Sequence, residues 1–201
     1  MKKILLTGFD PFGEEDMNPA TEVLKSFKQK NIKNYEIETI EIPTIYKKSF
    51  EKIKKEINKI QPDVVISLGQ AGGRTDISIE RVAINLDDYK IEDNEGNKPV
   101  DEIISSDGKN AYFSTLPIKK MVENIKKEKI PAEISNSAGT FVCNHVMYCV
   151  LDYVNTNDLD IKAGFIHIPF LPSQVVDKKN KASMSLETIK KGLKIAMETA
   201  I

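Results

Sequence analysis

The chain has 201 residues, 40% hydrophobic and 29% charged, a size and balance that fit one ordinary domain, 1–201, with a sizeable core. Its 29 basic and 30 acidic side chains nearly cancel, which argues against partnership with nucleic acid or an anionic membrane surface. Two cysteines, no charged-then-apolar leader with a cleavage site, and no apolar run near the roughly 18 residues of a membrane span lead to the expectation of a reduced, cytoplasmic protein.

Lys2 to Thr7 is a short apolar run of buried-strand type, followed by the loop Gly8-Phe9-Asp10-Pro11-Phe12-Gly13. Phe9 and Phe12 either fold that loop onto the core or line a pocket. Asn18-Pro19 supplies a cap and a first helical residue, and Val23, Leu24 and Phe27 give an apolar side to a helix reaching about Lys30. Tyr35 to Ile42 alternates as a strand near a sheet edge, and Pro43 ends it. Phe50, Ile53, Ile57 and Ile60 mark a helix with a lysine-rich outer face, broken at Gln61-Pro62-Asp63.

Val64 to Leu68 reads as a central strand, and the following Gly69-Gln70-Ala71-Gly72-Gly73-Arg74 matches neither phosphate-binding glycine motif. From Ile77 to Leu86 the apolar residues occupy odd positions up to Ile79 and even positions from Val82. That slip at Glu80-Arg81 predicts a bulge, a device common beside active sites, and gives Glu80 a claim to function against the plainer reading of a surface ion pair with Arg81. Asp87 to Gly108 is a polar excursion with a hairpin tip at Asp93–Asn97. Pro117 to Lys129 is an amphipathic helix, Ala132 to Ser135 a short strand, Ala163 to Phe170 a buried strand, and Ser183 to Thr199 a closing helix. This alternation implies a single-domain α/β/α sandwich with a largely parallel twisted sheet.

The chemistry concentrates in Ser135 to Tyr153, where small polar residues up to Thr140 give way to an apolar repeat. Cys143 sits at the junction, in the first turn of the expected helix, where unpaired backbone amides and the helix dipole favour a thiolate. Projected along the helix, Val146, Met147, Val150 and Val154 lie within about 60° of Cys143, and Cys149 lies about 120° away. Cys149 reads as a packed residue, and packing stays open as the reading of Cys143 too. His167 is the sole polar side chain of its strand. A strand-end histidine beside a helix-start cysteine suits nucleophilic acyl transfer, and a carboxylate such as Glu80 would orient it. His145, two residues from Cys143 on the helix, projects away from it and is the poorer base. Metal binding is disfavoured, since neither C-x-x-C nor H-E-x-x-H occurs.

Thr7–Pro19 (TGFDPFGEEDMNP), Ile77–Asn85 (ISIERVAIN), Ser137–Tyr148 (SAGTFVCNHVMY) and Gly164–Gln174 (GFIHIPFLPSQ) closely resemble the type I pyroglutamyl peptidases, in colinear order over nearly the whole chain. The resemblance implies a phosphorylase/hydrolase-like sandwich and a cysteine peptidase that removes N-terminal pyroglutamate from peptides. It assigns Cys143 as nucleophile, His167 as general base and acid, and Glu80 as the residue orienting the histidine, with no cofactor or metal. It also implies an apolar slot for the lactam ring formed by Phe9, Phe12, Thr44, Ile91, Phe141 and Val142, with Asn18 and Gln70 bonding the lactam. Lys90-Ile91-Glu92 departs from the family's usual Arg-Ile-Pro, and an ammonium does not replace a guanidinium at a contact site. Assembly as a homodimer or homotetramer is implied as well.

Two other readings compete on the residues alone. One is a nucleoside-phosphorylase-like or other ligand-binding α/β protein without a covalent step, against which stand the lack of a phosphate loop and the presence of only two arginines, Arg74 and Arg81. The other is an interaction module in which Cys143 is merely packed.

Overall fold

The computed structural model describes residues 2–201. Its strands are Lys2–Phe9 (β1), Asn31–Ile32 (β2), Tyr35–Ile42 (β3), Val64–Gln70 (β4), Ile77–Glu80 (β5), Val82–Ile84 (β6), Ala111–Phe113 (β7), Ala132–Ser135 (β8) and Lys162–Ile168 (β9). The helices are Pro19–Phe27 (α1), Lys48–Ile60 (α2), Ile118–Lys127 (α3), Val142–Thr156 (α4) and Leu186–Ala200 (α5). Among the described residues no helix is long and apolar enough to cross a membrane.

Seven strands form one sheet in the order β2-β3-β1-β4-β9-β5-β8. The neighbours β3, β1, β4 and β9 run parallel, and so do β5 and β8, but β5 runs antiparallel to β9 and β2 antiparallel to β3. The sheet is therefore largely parallel, with one reversal of direction in its interior at β9 and β5. Strand alternation sends successive side chains to opposite faces, each with its own core. Ile4, Leu6, Ile166 and Ile168 pack with buried residues of α1, α3 and α5, whereas Leu5, Phe9, Ala163 and Phe165 pack with those of α2 and α4. His167 shares the α4 face with Phe165 by the same alternation.

Local chemistry sets the helix ends. Asn18 caps α1 by accepting from the Ala20 amide at 3.0 Å, with Pro19 in the first helical position. The helix stops at Phe27 rather than near Lys30, because Lys28 leaves helical backbone geometry and Gln29 has a φ of 56°. That turn feeds β2, a pair of residues too short to announce itself by periodicity. At the end of α2, Gln61 takes a left-handed conformation, its amide bonds the Ile57 carbonyl, and Pro62 prevents continuation.

The slip at Glu80-Arg81 is a change of sheet rather than a bulge. β5 ends at Glu80 in the main sheet, and β6 begins at Val82 in a separate two-stranded ribbon with β7. Arg81 bridges them: its amide donates to the Ser135 carbonyl at 2.8 Å, and its own carbonyl accepts from the Ser114 amide at 2.9 Å. The apolar parity changes because Val82 and Ile84 turn to the outer face of the ribbon, while Ala83 between them is the buried residue. Asn144 of α4, fully buried, fastens the ribbon by accepting from the Ile84 amide and donating to the Ile84 and Leu86 carbonyls. In the polar excursion, Asp93 closes the 93–97 turn by accepting from the Glu95 and Asn97 amides, and the flanks meet at one isolated bridge, Asp87 with Glu102, instead of pairing as strands.

Candidate active site

His167 lies near the end of β9, opposite Gly69 of β4 on one side and Ser78 of β5 on the other. Its Nδ1 is 2.7 Å from Glu80 Oε1, and both residues are buried. A carboxylate only accepts, so Nδ1–H donates to Glu80, and in the neutral imidazole the lone pair is on Nε2. The reversal between β9 and β5 brings about this meeting. Phe9, Gln70 and His167 come to the site at carboxyl ends of parallel strands, while Glu80 and the chain leading to Cys143 arrive from β5 and β8, which run the other way.

Glu80 is fully buried, and Arg74, not Arg81, is its basic partner, with Nη1 2.7 Å from the same Oε1. Arg81 turns instead to Asn136 Oδ1 at 2.7 Å. Burial alone would raise the Glu80 pKa, but His167, Ser135 and Arg74 outweigh it and hold the carboxyl below its ordinary value. Sequence reasoning passed over Arg74. Its signal was available, as one of two arginines standing at the end of the loop after a central strand.

Cys143 occupies the first turn of α4, as expected, and is half-buried. Its sulfur rests over the β4 backbone: a Cβ on Gly69 would lie 3.0 Å from it. Opposing influences act on its thiol. Burial first and Glu80 second push the thiol up to about 12, while Arg74 and the residue's own amide pull less strongly the other way. The helix start does offer other help, since no side chain caps α4 and its leading amides lack intrahelical partners.

A family model described as pyroglutamyl peptidase matches residues 2–201. The chain belongs to the pyroglutamyl peptidase family. It is 61% identical over 198 residues to a pyrrolidone-carboxylate peptidase of Fusobacterium nucleatum, covering 98% of this chain and 92% of that protein. To the Clostridium botulinum protein of the same name it is 57% identical over 199 residues, covering 99% and 93%. Among solved structures, pyroglutamyl peptidase I of Bacillus amyloliquefaciens superposes with a TM-score of 0.96 at 50% identity, covering all 100% of this chain and 97% of that one. The pyrrolidone carboxyl peptidase of Thermococcus litoralis gives 0.97 at 39% identity, covering 100% and 93%.

The residues expected to hold a pyroglutamyl ring fall into four groups, three apolar and one polar. Phe12 and Phe141 lie 6.0 Å apart with tilted rings, and Phe141 in turn meets Tyr89 edge-on at 4.6 Å, so the three rings form one aromatic cluster. Phe9 and Val142 are buried in the α4-side core, Phe9 against the Phe165 ring at 6.3 Å. Ile91 is 49% exposed and packs with neither core.

Asn18, Thr44 and Gln70 are buried polar groups already tied to the scaffold. Asn18 Nδ2 donates to the Asp10 carbonyl at 3.0 Å, and the Thr44 amide donates to Asp10 Oδ1 at 2.7 Å. One amide hydrogen of Asn18 remains for a ligand. Gln70 Oε1 accepts from Gln174 Nε2 at 2.8 Å, which fixes its amide with the NH2 group turned away from Gln174. Gln174 lies in a short helical turn, Pro172–Gln174, that carried no signal beyond its place in the GFIHIPFLPSQ motif. Tyr89 was passed over as well: its buried hydroxyl has no hydrogen-bond partner, and burial first, then Asp87 and Asp93, raise its pKa.

Proposed function

We propose that Cys143, His167 and Glu80 carry the family's reaction as nucleophile, general base and acid, and orienting carboxylate. That reaction is the hydrolysis of a cysteine peptidase, releasing N-terminal pyroglutamate from peptides. The observation that supports the assignment is the fixed tautomer of His167, its Nδ1–H held by a buried, ionised Glu80 and its Nε2 left to accept a proton.

Because burial disfavours the free thiolate, the Cys143 proton moves to His167 as the sulfur attacks the pyroglutamyl carbonyl, and the tetrahedral oxyanion is held by the uncapped amides at the start of α4. His167 then gives the proton to the leaving amine. Water, activated by the same nitrogen, releases pyroglutamate from the acyl-enzyme. The Phe12–Phe141 cluster covers the lactam ring. Asn18 and Gln70 supply donors to it, and specificity follows because a proline ring leaves buried polar groups unpaired.

His167→Ala is expected to lower kcat by about a hundredfold or more, and His145→Ala by less than about tenfold, with folding checked by circular dichroism. A folded His167→Ala that keeps normal turnover of a chromogenic pyroglutamyl amide overturns the assignment. The reading extends to a reduced cytoplasmic setting, supported by two free thiols, and to a homodimer or homotetramer. Ile84 and Phe113 support assembly, since they are exposed on the shared outer face of the β6–β7 ribbon, and light scattering tests it.

A further inference from the structure

Further along α4, a second cysteine, histidine and carboxylate stand in line. His145 Nδ1 is 2.7 Å from Asp87 Oδ2, and His145 Nε2 is 3.6 Å from Cys149 Sγ, one helical turn away. His145 and Asp87 are buried, and Asp87 is held from both sides by backbone bonds with Glu102. The other oxygen, Asp87 Oδ1, has no hydrogen-bond partner, so the carboxylate is committed to His145. The Tyr46 ring meets the imidazole edge-on at 5.2 Å and fixes its plane. The carboxylate–histidine half repeats the one at Glu80 and His167, with Nδ1–H bound to a buried carboxylate, and here Nε2 faces a thiol sulfur.

Three features separate this cluster from packing and from other chemistry. Cys149 is partly exposed and lines a surface cavity of about 350 Å³ with Phe50, Lys54, Ile104, Asp152 and Tyr153. The three groups lie in series with His145 between the others, and among the described residues no set of three or more such side chains converges as a metal cage would require. Finally, Cys149 is in mid-helix, where every amide is already bonded along the helix, so no oxyanion hole is available for acyl transfer. Thiol–disulfide exchange needs no such hole. It needs an accessible sulfur, a proton acceptor, and a donor for the departing thiolate.

We propose that Cys149, His145 and Asp87 form a thiol relay that exchanges with a low-molecular-weight disulfide and stores half of it as a mixed disulfide on Cys149. The Cys149 proton passes to His145 Nε2 while the sulfur attacks one sulfur of the disulfide. The S–S bond breaks, and the departing thiolate takes the proton back from Nε2. One protein thiol and one disulfide become one mixed disulfide and one small thiol, with no net oxidant beyond the disulfide itself. Burial, then Asp87 and Asp152, raise the Cys149 pKa, so exchange at neutral pH depends on an adjacent acceptor.

The test uses Cys143→Ser protein with oxidised glutathione, followed by intact mass and peptide mapping. One glutathione is expected on Cys149, and adding His145→Gln should slow its attachment at pH 7 by about tenfold or more. No adduct on Cys149, or a rate within about twofold in a folded His145→Gln variant, overturns the proposal. Should that variant fail to fold, the pH profile of the Cys143→Ser protein decides. The ionisable groups around Cys149 are His145, Asp87, Asp152, Lys47 and Lys54, with the phenols of Tyr148 and Tyr153. A relay gives a rate that changes by less than about threefold from pH 7 to 9, whereas a rise of about tenfold per pH unit is that of a lone thiol and overturns the proposal.

Discussion

Gly69 and Cys143 meet where β4 passes under the start of α4: a Cβ on Gly69 would stand 3.0 Å from the sulfur and 2.8 Å from the Phe165 ring. Gly69 is also the β4 residue paired with His167. The absent side chain thus lets nucleophile and base approach the same point of the sheet. Gly69→Ala is expected to displace the sulfur, lowering kcat/KM by roughly tenfold or more, since small misplacements at a reacting centre are costly. Overpacking should also lower stability by about 1–3 kcal/mol. Turnover of a pyroglutamyl amide and a thermal melt check both, and unchanged turnover would show that the sulfur has room to spare.

Arg74 and His167 share one oxygen of Glu80, and this has a consequence in acid. The folded pKa of Glu80 lies below its ordinary value of 4.5, so its contribution to stability is complete above that value and disappears as pH falls through the folded one. Arg74→Leu removes one of the lowering influences. The acid unfolding midpoint of the variant should therefore move to higher pH, and the acid limb of kcat/KM with it, while the protein near pH 7 stays folded. A midpoint identical to the parent's would mean that the guanidinium does not act on Glu80.

The thiol of Cys143, pushed up to about 12, should depend on His167 even toward a simple alkylating agent. Iodoacetamide labelling of Cys143 at pH 7 is expected to slow by roughly tenfold or more in His167→Ala. Mass mapping separates this label from Cys149. Equal labelling rates in parent and variant would point to a thiolate formed by the helix start alone.

Periodicity made most of this fold legible, because β1, β4 and β9 are apolar runs, β3 alternates, and α2, α3 and α5 carry one-sided stripes. Elements of two or three residues, β2 and β7, are too short to show a period. The slip at Glu80-Arg81 was visible, but its meaning was not: one residue of shifted parity looks the same whether a strand bulges or leaves for another sheet. Cys143 and His167 stood out from chain position and residue type. Arg74, Gln174 and Gly69 did not, because each matters through a partner distant in sequence, and the reversal between β9 and β5 that brings Glu80 to His167 is a property of topology rather than of any segment. The second relay was hidden for a similar reason. Cys149 and His145 are one turn apart and readable as a pair, but Asp87, which gives that pair its chemistry, comes from a loop whose path the sequence left open.

Gln174 and Gln70 give the remaining prediction. Gln174 Nε2 donates to Gln70 Oε1 at 2.8 Å, while Gln174 Oε1 accepts from the Leu171 amide at 2.9 Å, so the orientation of one glutamine dictates that of the other. Gln70 is thereby left to present its NH2 group to a ligand carbonyl. In Gln174→Met this orientation is lost, and the Gln70 amide can turn its oxygen toward the lactam. KM for a pyroglutamyl amide should rise by roughly tenfold, the scale of one hydrogen bond, with a smaller change in kcat. Gln70→Leu should go further, reducing the preference for pyroglutamyl over prolyl amides from an expected hundredfold or more to roughly tenfold. Steady-state kinetics on the paired substrates separate the two effects. If Gln174→Met leaves KM unchanged while Gln70→Leu narrows the preference, Gln70 binds the lactam without needing its neighbour, and the coupling between them is structural only.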